Sequence, residues 1–189
     1  SRQGVIAYGV SAGCAVALGN PIGDPVAAEG ALDAFLSLCT DNGWLPAFHQ
    51  VTPDMLSAYR ARGLQSLKVG EEASVDLDRF ASQTATGKWF RYLRRRFERE
   101  GYVLERTEPP LAPQLLGELE TISDGWLTIP GRRERGFTLG QWSREYLRTS
   151  PVYVVRGSDG LATAFANVIP SYRPGEATVD LMRHRPEVV

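Results

Sequence analysis

An aspartate and an arginine three positions apart, near the end of an apolar run, are the residues of this sequence best placed to do chemistry. In Val179-Asp180-Leu181-Met182-Arg183 the flanking residues have strand character. A carboxylate there needs a partner to stay ionised. Such a group can act as a general base that a nearby cation orients or balances. If the strand runs on extended, Asp180 and Arg183 face opposite sides; if a turn breaks it at Asp180, both can face one cavity. A purely structural ion pair is the competing reading.

Three further groups accompany this pair. Asn167, in Phe165-Ala166-Asn167-Val168-Ile169, is polar within an otherwise apolar run, and either orients a substrate or satisfies neighbouring backbone at a bulge. Arg132 and Arg133 lie between Gly131 and Gly136, where guanidinium forks suit a phosphate or another anionic head group, unless the segment is merely a solvated loop. From Gly87 to Glu100, Lys88, Arg91, Arg94, Arg95, Arg96 and Arg99 face only Glu98 and Glu100, giving a helix of about +4 in a chain of net charge -1. Trp89, Leu93 and Phe97 recur at helical spacing and are expected to anchor one face, leaving the cations free for phosphates or simply for water.

Other chemistries are disfavoured. His49 and His184 are the only histidines and have no serine, cysteine or second histidine at a recognisable spacing, so neither a triad nor a metal site is supported. Cys14 and Cys39 suggest neither a disulfide framework nor zinc. Gly9-Val10-Ser11-Ala12-Gly13 copies the GxSxG pattern, but in an expected hairpin rather than a strand-to-helix turn. Phosphate-loop and dinucleotide fingerprints are missing, and the prolines of Asn20-Pro21-Ile22-Gly23-Asp24-Pro25 remove amides that a pyrophosphate loop would use. Coenzyme A binding is therefore not expected.

The elements that must carry these residues are legible from periodicity. The 189 residues are 43% hydrophobic and 23% charged, which suits one large core or two small ones. No stretch approaches a membrane span and the opening residues lack a signal-peptide layout. Strands are expected at Gly4 to Val10, Cys14 to Leu18, Pro46 to Val51, Leu64 to Val69 and Ala73 to Leu77, with a helix from Val26 to Asn42 and a short one after Pro53. Helices follow at Gly87 to Arg99, Pro113 to Leu127 and Leu139 to Arg148; Leu115, Leu116, Leu119, Ile122 and Trp126 form the buried stripe of the second. Tyr102 to Arg106, Pro151 to Arg156, Leu161 to Ile169 and Glu176 to Met182 read as strands. The class is α+β, with mixed, mainly antiparallel sheets flanked by helices. A strand-like run begins almost at Gly4 and the chain stops without a closing element, as expected of a fragment.

Several segments together resemble one family. Val16-Ala17-Leu18-Gly19-Asn20-Pro21-Ile22-Gly23, Gly43-Trp44-Leu45-Pro46-Ala47-Phe48, Tyr59-Arg60-Ala61-Arg62-Gly63-Leu64, Lys68-Val69-Gly70-Glu71-Glu72-Ala73, Ile122-Ser123-Asp124-Gly125-Trp126-Leu127 and Ala166-Asn167 through Asp180-Leu181-Met182-Arg183 are similar to the C-terminal catalytic domain of phosphatidylglycerol lysyltransferases, the multiple peptide resistance factors. The resemblance implies a tandem N-acetyltransferase-like (GNAT) fold. Residues 1–86 would form a first unit, 87–106 a basic connecting helix and strand, and 107–189 the start of a truncated second unit. It also implies transfer of an aminoacyl group, lysyl or alanyl, from aminoacyl-tRNA to phosphatidylglycerol at the cytoplasmic face of the membrane, with no ATP, metal or other cofactor. Asp180 and Arg183 would lie in the active-site tunnel, Asn167, Arg132 and Arg133 would meet substrate, and Lys88, Arg91, Arg94, Arg95 and Arg99 would meet the tRNA end. Transfer to another acceptor, and a non-catalytic module holding RNA or an anionic surface, are the alternatives.

Overall fold

Ala12 and Gly13 both take positive φ, 49° and 75°, and so close β1 (Tyr8–Ser11) onto β2 (Cys14–Leu18) as a tight antiparallel hairpin. The computed structural model describes residues 4–138, 140–171 and 175–188 and divides the chain into two units, Ser1–Ala73 and Ser74–Val189. The expected boundaries at 86/87 and 106/107 both fall inside the second unit. Both units are α+β.

In the first unit, helix α1 (Pro25–Asp41) carries the chain from β2 to a parallel neighbour, β3 (Leu45–His49), giving the order β1-β2-β3. Asp24 caps α1 by accepting the Ala27 N–H at 2.9 Å, with Pro25 in the first turn. Ala28, Leu32, Phe35 and Cys39, at the spacing of one helical face, are buried. Ala15 and Ala17 of β2 are fully buried with Phe35 and Cys39. Both cysteines are free thiols. A short helix, α2 (Leu56–Ala61), ends at Arg62, whose guanidinium bonds Asp33 and Glu29 of α1.

The strands expected at Leu64 to Val69 and Ala73 to Leu77 do not form. Leu67, Val69 and Val75 are exposed, and neither run meets a strand to pair with among the described residues. The first expected strand also shortens to Tyr8–Ser11, with Val5 forming an isolated bridge to Ile22.

The second unit opens with α3 (Leu77–Arg79), which runs into a π turn (Phe80–Thr84), and α4 (Lys88–Arg99). Its sheet is antiparallel, in the order β4 (Val103–Thr107), β5 (Val152–Arg156), β6 (Ala162–Pro170), β7 (Ala177–His184). Helix α5 (Pro113–Leu127) supplies Leu115, Leu116, Leu119 and Ile122 to a core shared with Val152, Val154, Phe165 and Leu181. Arg156 ties β5 to both neighbours of this packing, bonding Glu105 of β4 at 2.8 Å and Glu118 of α5 at 2.7 Å.

Leu119 is fully buried in this core, and Leu104 on β4 is 65% exposed. Leu119→Ala should cost about 2–5 kcal/mol of unfolding free energy, against about 0.5 kcal/mol or less for Leu104→Ala. Urea denaturation of the two variants checks this; equal losses would contradict the assigned core.

Candidate active site

β6 and β7 are out of step by one residue. Ala166 pairs with Met182 but Val168 pairs with Val179, so Asn167 alone opposes both Asp180 and Leu181. In an unbroken strand, residues three apart point to opposite faces. Here the strand continues and the bulge supplies the half-turn, so Asp180 and Arg183 are both engaged by residues 134–146. Neither of the two geometries expected from sequence, a clean strand or a turn at Asp180, is the one adopted.

Asn167 is fully buried on this bulge. Its Oδ1 accepts the Leu181 N–H at 2.7 Å, which fixes the amide's orientation, and its Nδ2 then donates to the Tyr146 hydroxyl at 3.1 Å. Tyr146 in turn donates to Asp180 Oδ2 at 2.6 Å, while Asp180 Oδ1 accepts the Gly140 N–H at 2.7 Å. The result is a directed chain: backbone to amide, amide to phenol, phenol to carboxylate. Gly140 is required for it, because a Cβ at that position would overlap the Asp180 carboxyl. Burial and donation to Asp180 push the Tyr146 phenol up to about 12, against the opposing bond from Asn167.

Arg183 belongs to a separate system. It is 3% exposed, its Nη2 donates to both carboxylate oxygens of Glu134 at 2.8 and 2.7 Å, its Nη1 donates to buried Ser123, and it lies 4.9 Å from the centre of the Trp126 ring. It does not pair with Asp180. Burial tends to raise the Glu134 carboxyl, but Arg183 and the Trp142 N–H outweigh it and hold it below the ordinary value. Trp126, expected in the buried stripe of α5, is half-buried and serves as a platform for cations. The exposed Arg132 lies 5.2 Å from the same ring, while Arg133 is exposed beside it.

The segment that meets both charges is pinned to α5. Glu120 accepts from the Trp142 indole N–H at 3.2 Å and from Arg144 at 3.0 and 2.6 Å. The helix expected from Leu139 shortens to α6 (Arg144–Arg148), because the N–H groups of Gly140 and Trp142 bond carboxylates and Ser143 caps the helix instead. Leu139 itself lies outside the described residues. Ser11 sits at the end of β1 in the hairpin, far from the geometry of a nucleophile elbow. The described residues contain no cluster of His, Cys, Asp and Glu that could hold a metal ion.

α4 differs in character from α5 and α6. None of its residues is buried, and Trp89 and Phe97, expected to anchor it, are 64% and 44% exposed. α5 already fills the core of the second unit, so the apolar face of α4 is left outside it. Of its cations, Arg94 and Arg96 pair along the helix with Glu98 and Glu100 at 3.6 and 2.8 Å, while Lys88, Arg91, Arg95 and Arg99 have no ion pair among the described residues.

A phenol whose ionisation is suppressed by the fold contributes stability that is complete below its ordinary value near 10 and lost as pH rises through about 12. Of the seven tyrosines, Tyr59 and Tyr146 both stand at about 12. In an ultraviolet alkaline titration, Tyr146→Phe should remove one late-ionising phenol, and Gly140→Ala, by displacing Asp180, should move that phenol to lower pH. Loss of an early-ionising phenol from Tyr146→Phe would contradict the network.

Comparison with known proteins shows the family. The family model described as phosphatidylglycerol lysyltransferase, C-terminal, matches residues 1–189. The phosphatidylglycerol lysyltransferase of Bacillus subtilis (strain 168) is 38% identical over 184 residues, covering 96% of this chain and 21% of that protein. The Staphylococcus aureus (strain MSSA476) enzyme of the same name is 33% identical over 188 residues, covering 100% of this chain and 22% of its own length. The chain thus spans about a fifth of the length of these relatives. The solved L-PGS from Bacillus licheniformis superposes with a TM-score of 0.88 at 35% identity, over 97% of this chain and 56% of that one. The C-terminal domain of a putative lysylphosphatidylglycerol synthetase from Agrobacterium fabrum gives 0.85 at 34% identity, over 97% and 58%. With its whole length matched by the family model, this chain belongs to the phosphatidylglycerol lysyltransferase C-terminal family.

Proposed function

We propose that this chain forms part of the site at which a lysyl group passes from aminoacyl-tRNA to phosphatidylglycerol, on a tandem N-acetyltransferase-like architecture at the cytoplasmic face of a membrane. The family match and the names of the relatives support lysine and phosphatidylglycerol; aminoacyl-tRNA as donor is what the resemblance implies. The reaction exchanges one ester for another. The lipid glycerol oxygen bonds to the lysyl carbonyl carbon, the bond to the ribose oxygen breaks, and the lipid hydroxyl proton ends on that ribose oxygen. The exchange itself consumes no nucleotide.

The observation that carries the assignment is the state of Asp180. Both its oxygens are held by neutral donors, Gly140 N–H and Tyr146 O–H, and no cationic side chain pairs with it among the described residues. Its negative charge is fixed in place and left uncompensated, the arrangement that receives an ammonium. A lysyl ester offers two. Asp180 therefore orients the aminoacyl group through its amine, with Tyr146, Asn167 and Gly140 as positioning residues. Arg183 holds Glu134 and Trp126 and so supports the wall of the site. Arg132, exposed and stacked on Trp126, and Arg133 offer guanidinium groups to a substrate phosphodiester.

The test is to put this chain in place of the matching segment of the Bacillus subtilis relative and to follow radiolabelled lysine from charged tRNA into phosphatidylglycerol vesicles. The unsubstituted chimera should label lipid, and Asp180→Asn should lower the rate about 100-fold or more. A folded chimera that labels no lipid would overturn the proposed reaction; full activity in Asp180→Asn would remove Asp180 from it.

A further inference from the structure

Gly140-Gln141-Trp142-Ser143 belongs to no helix or strand, so neither a helical ladder nor a sheet neighbour fixes it. It nevertheless delivers one of the two donors on Asp180, the Gly140 N–H at 2.7 Å. A well-made bond from an irregular segment needs something to hold the segment still. Trp142, two residues on, is held at three points. Its indole N–H donates to Glu120 Oε1 at 3.2 Å, its backbone N–H donates to Glu134 Oε1 at 3.2 Å, and its ring meets Phe165 edge to face at 6.0 Å. Each of these grips leads back to the packed frame of the second unit. Glu120 stands on α5 next to fully buried Leu119, and Arg144 occupies its other oxygen, Oε2, at 3.0 and 2.6 Å, leaving Oε1 to the indole. Glu134 is taken by Arg183 of β7, and Phe165 is a core residue of β6, two positions before Asn167. β6 and β7 are also the strands that carry Asn167 and Asp180. The Gly140 donor and the carboxylate it meets are thus located by one frame, and every partner lies within the second unit.

We propose that Trp142, gripped through its indole N–H by Glu120, is a positioning residue of the amine site: it sets where the Gly140 N–H stands and so aims the Asp180 carboxylate. The indole N–H is the part of this arrangement that packing alone does not require. A phenylalanine would also lay a ring against Phe165, whereas tryptophan adds a donor to its apolar body. Here the donor meets a carboxylate, a charge-assisted bond that fixes direction as well as distance. Arg144 and the indole hold the Glu120 carboxyl below its ordinary value, so it stays ionised through the neutral range. Arg144 also fixes which oxygen of Glu120 faces Trp142. The order of control runs from the α5 core to Glu120, from Glu120 to Trp142, and from Trp142 along two residues of backbone to the Gly140 N–H on Asp180.

This inference rests on the reading of Asp180 as the group that receives the substrate ammonium, but its first readout does not. That readout is hydrogen exchange of the chain, followed at single amides by NMR. Trp142→Phe removes the donor and keeps a ring against Phe165. It should speed exchange of the Gly140 amide about tenfold or more, while the Leu181 amide, which bonds Asn167 within the core, keeps its rate. Glu120→Ala should do the same, with no further gain when the two are combined, because both break one bond. Arg144→Ala spares that bond and should leave Gly140 protected. In the Bacillus subtilis chimera, Trp142→Phe should lower kcat/KM for lysyl-tRNA about tenfold, and should add less than about twofold to the loss already caused by Asp180→Asn. Unchanged exchange at Gly140 in both Trp142→Phe and Glu120→Ala would overturn the proposal. Equal acceleration of Gly140 and Leu181 would do so too, since it would reduce the pair to a support of overall stability. A loss of transfer that multiplies with that of Asp180→Asn would place the action of Trp142 elsewhere and likewise overturn it. A chimera that labels no lipid would instead overturn the reaction, while the exchange rates still decide whether Trp142 aims Asp180.

Discussion

Asn167 faces two residues of β7 where a regular ladder would offer one, and its amide oxygen takes the Leu181 N–H at 2.7 Å. Leu181 is in the core, so that N–H cannot turn to water, and leaving it unsatisfied would cost about 1–3 kcal/mol. The bond does more than satisfy the backbone. It fixes which end of the Asn167 amide donates, and the donor end sets the direction of the bond through Tyr146 to Asp180. The same bulge brings Asp180 round to the side on which Arg183 is buried.

Two charges so near in sequence would ordinarily neutralise each other. In this fold they do not, because each is satisfied first by something else: Arg183 by Glu134, Ser123 and the Trp126 ring, and Asp180 by a phenol and an amide. The role proposed for Asp180 rests on the difference between these partners. Arg183 is balanced by an opposite charge and is buried, as a structural cation must be. Asp180 is held by neutral dipoles that orient it without cancelling its charge. One segment, residues 134–146, bonds both groups and is itself anchored to α5 through Glu120.

Much of this was legible in the sequence, and the exceptions share a cause. Helices α1 and α5 and the strands β2, β5, β6 and β7 follow from periodicity and turn residues, which are local signals. Asp180, Arg183 and Asn167 stand out because they are polar in apolar runs. Their partners do not. Glu134 hides within a basic loop, Tyr146 looks like an ordinary helix residue, and Gly140 precedes a helix that periodicity extends too far. Those three depend on contacts between elements more than thirty residues apart, about which local pattern says nothing. The unformed strands after Leu64 fail for the same reason, since strand character forms no strand without a partner. For α4 the sequence shows the amphipathic pattern but not whether its apolar face is covered.

Asp180 is proposed to act through charge on the substrate amine rather than through proton transfer. The most direct measurement compares rates of transfer from lysyl-tRNA and from its Nα-acetyl and Nε-acetyl derivatives, in the Bacillus subtilis chimera with Asp180 and with Asp180→Asn. If Asp180 holds an ammonium, one acetylated donor is transferred poorly by the unsubstituted chimera, and Asp180→Asn erases that preference. If Asp180→Asn slows all three donors by the same factor, as loss of a general base would, the central claim is contradicted.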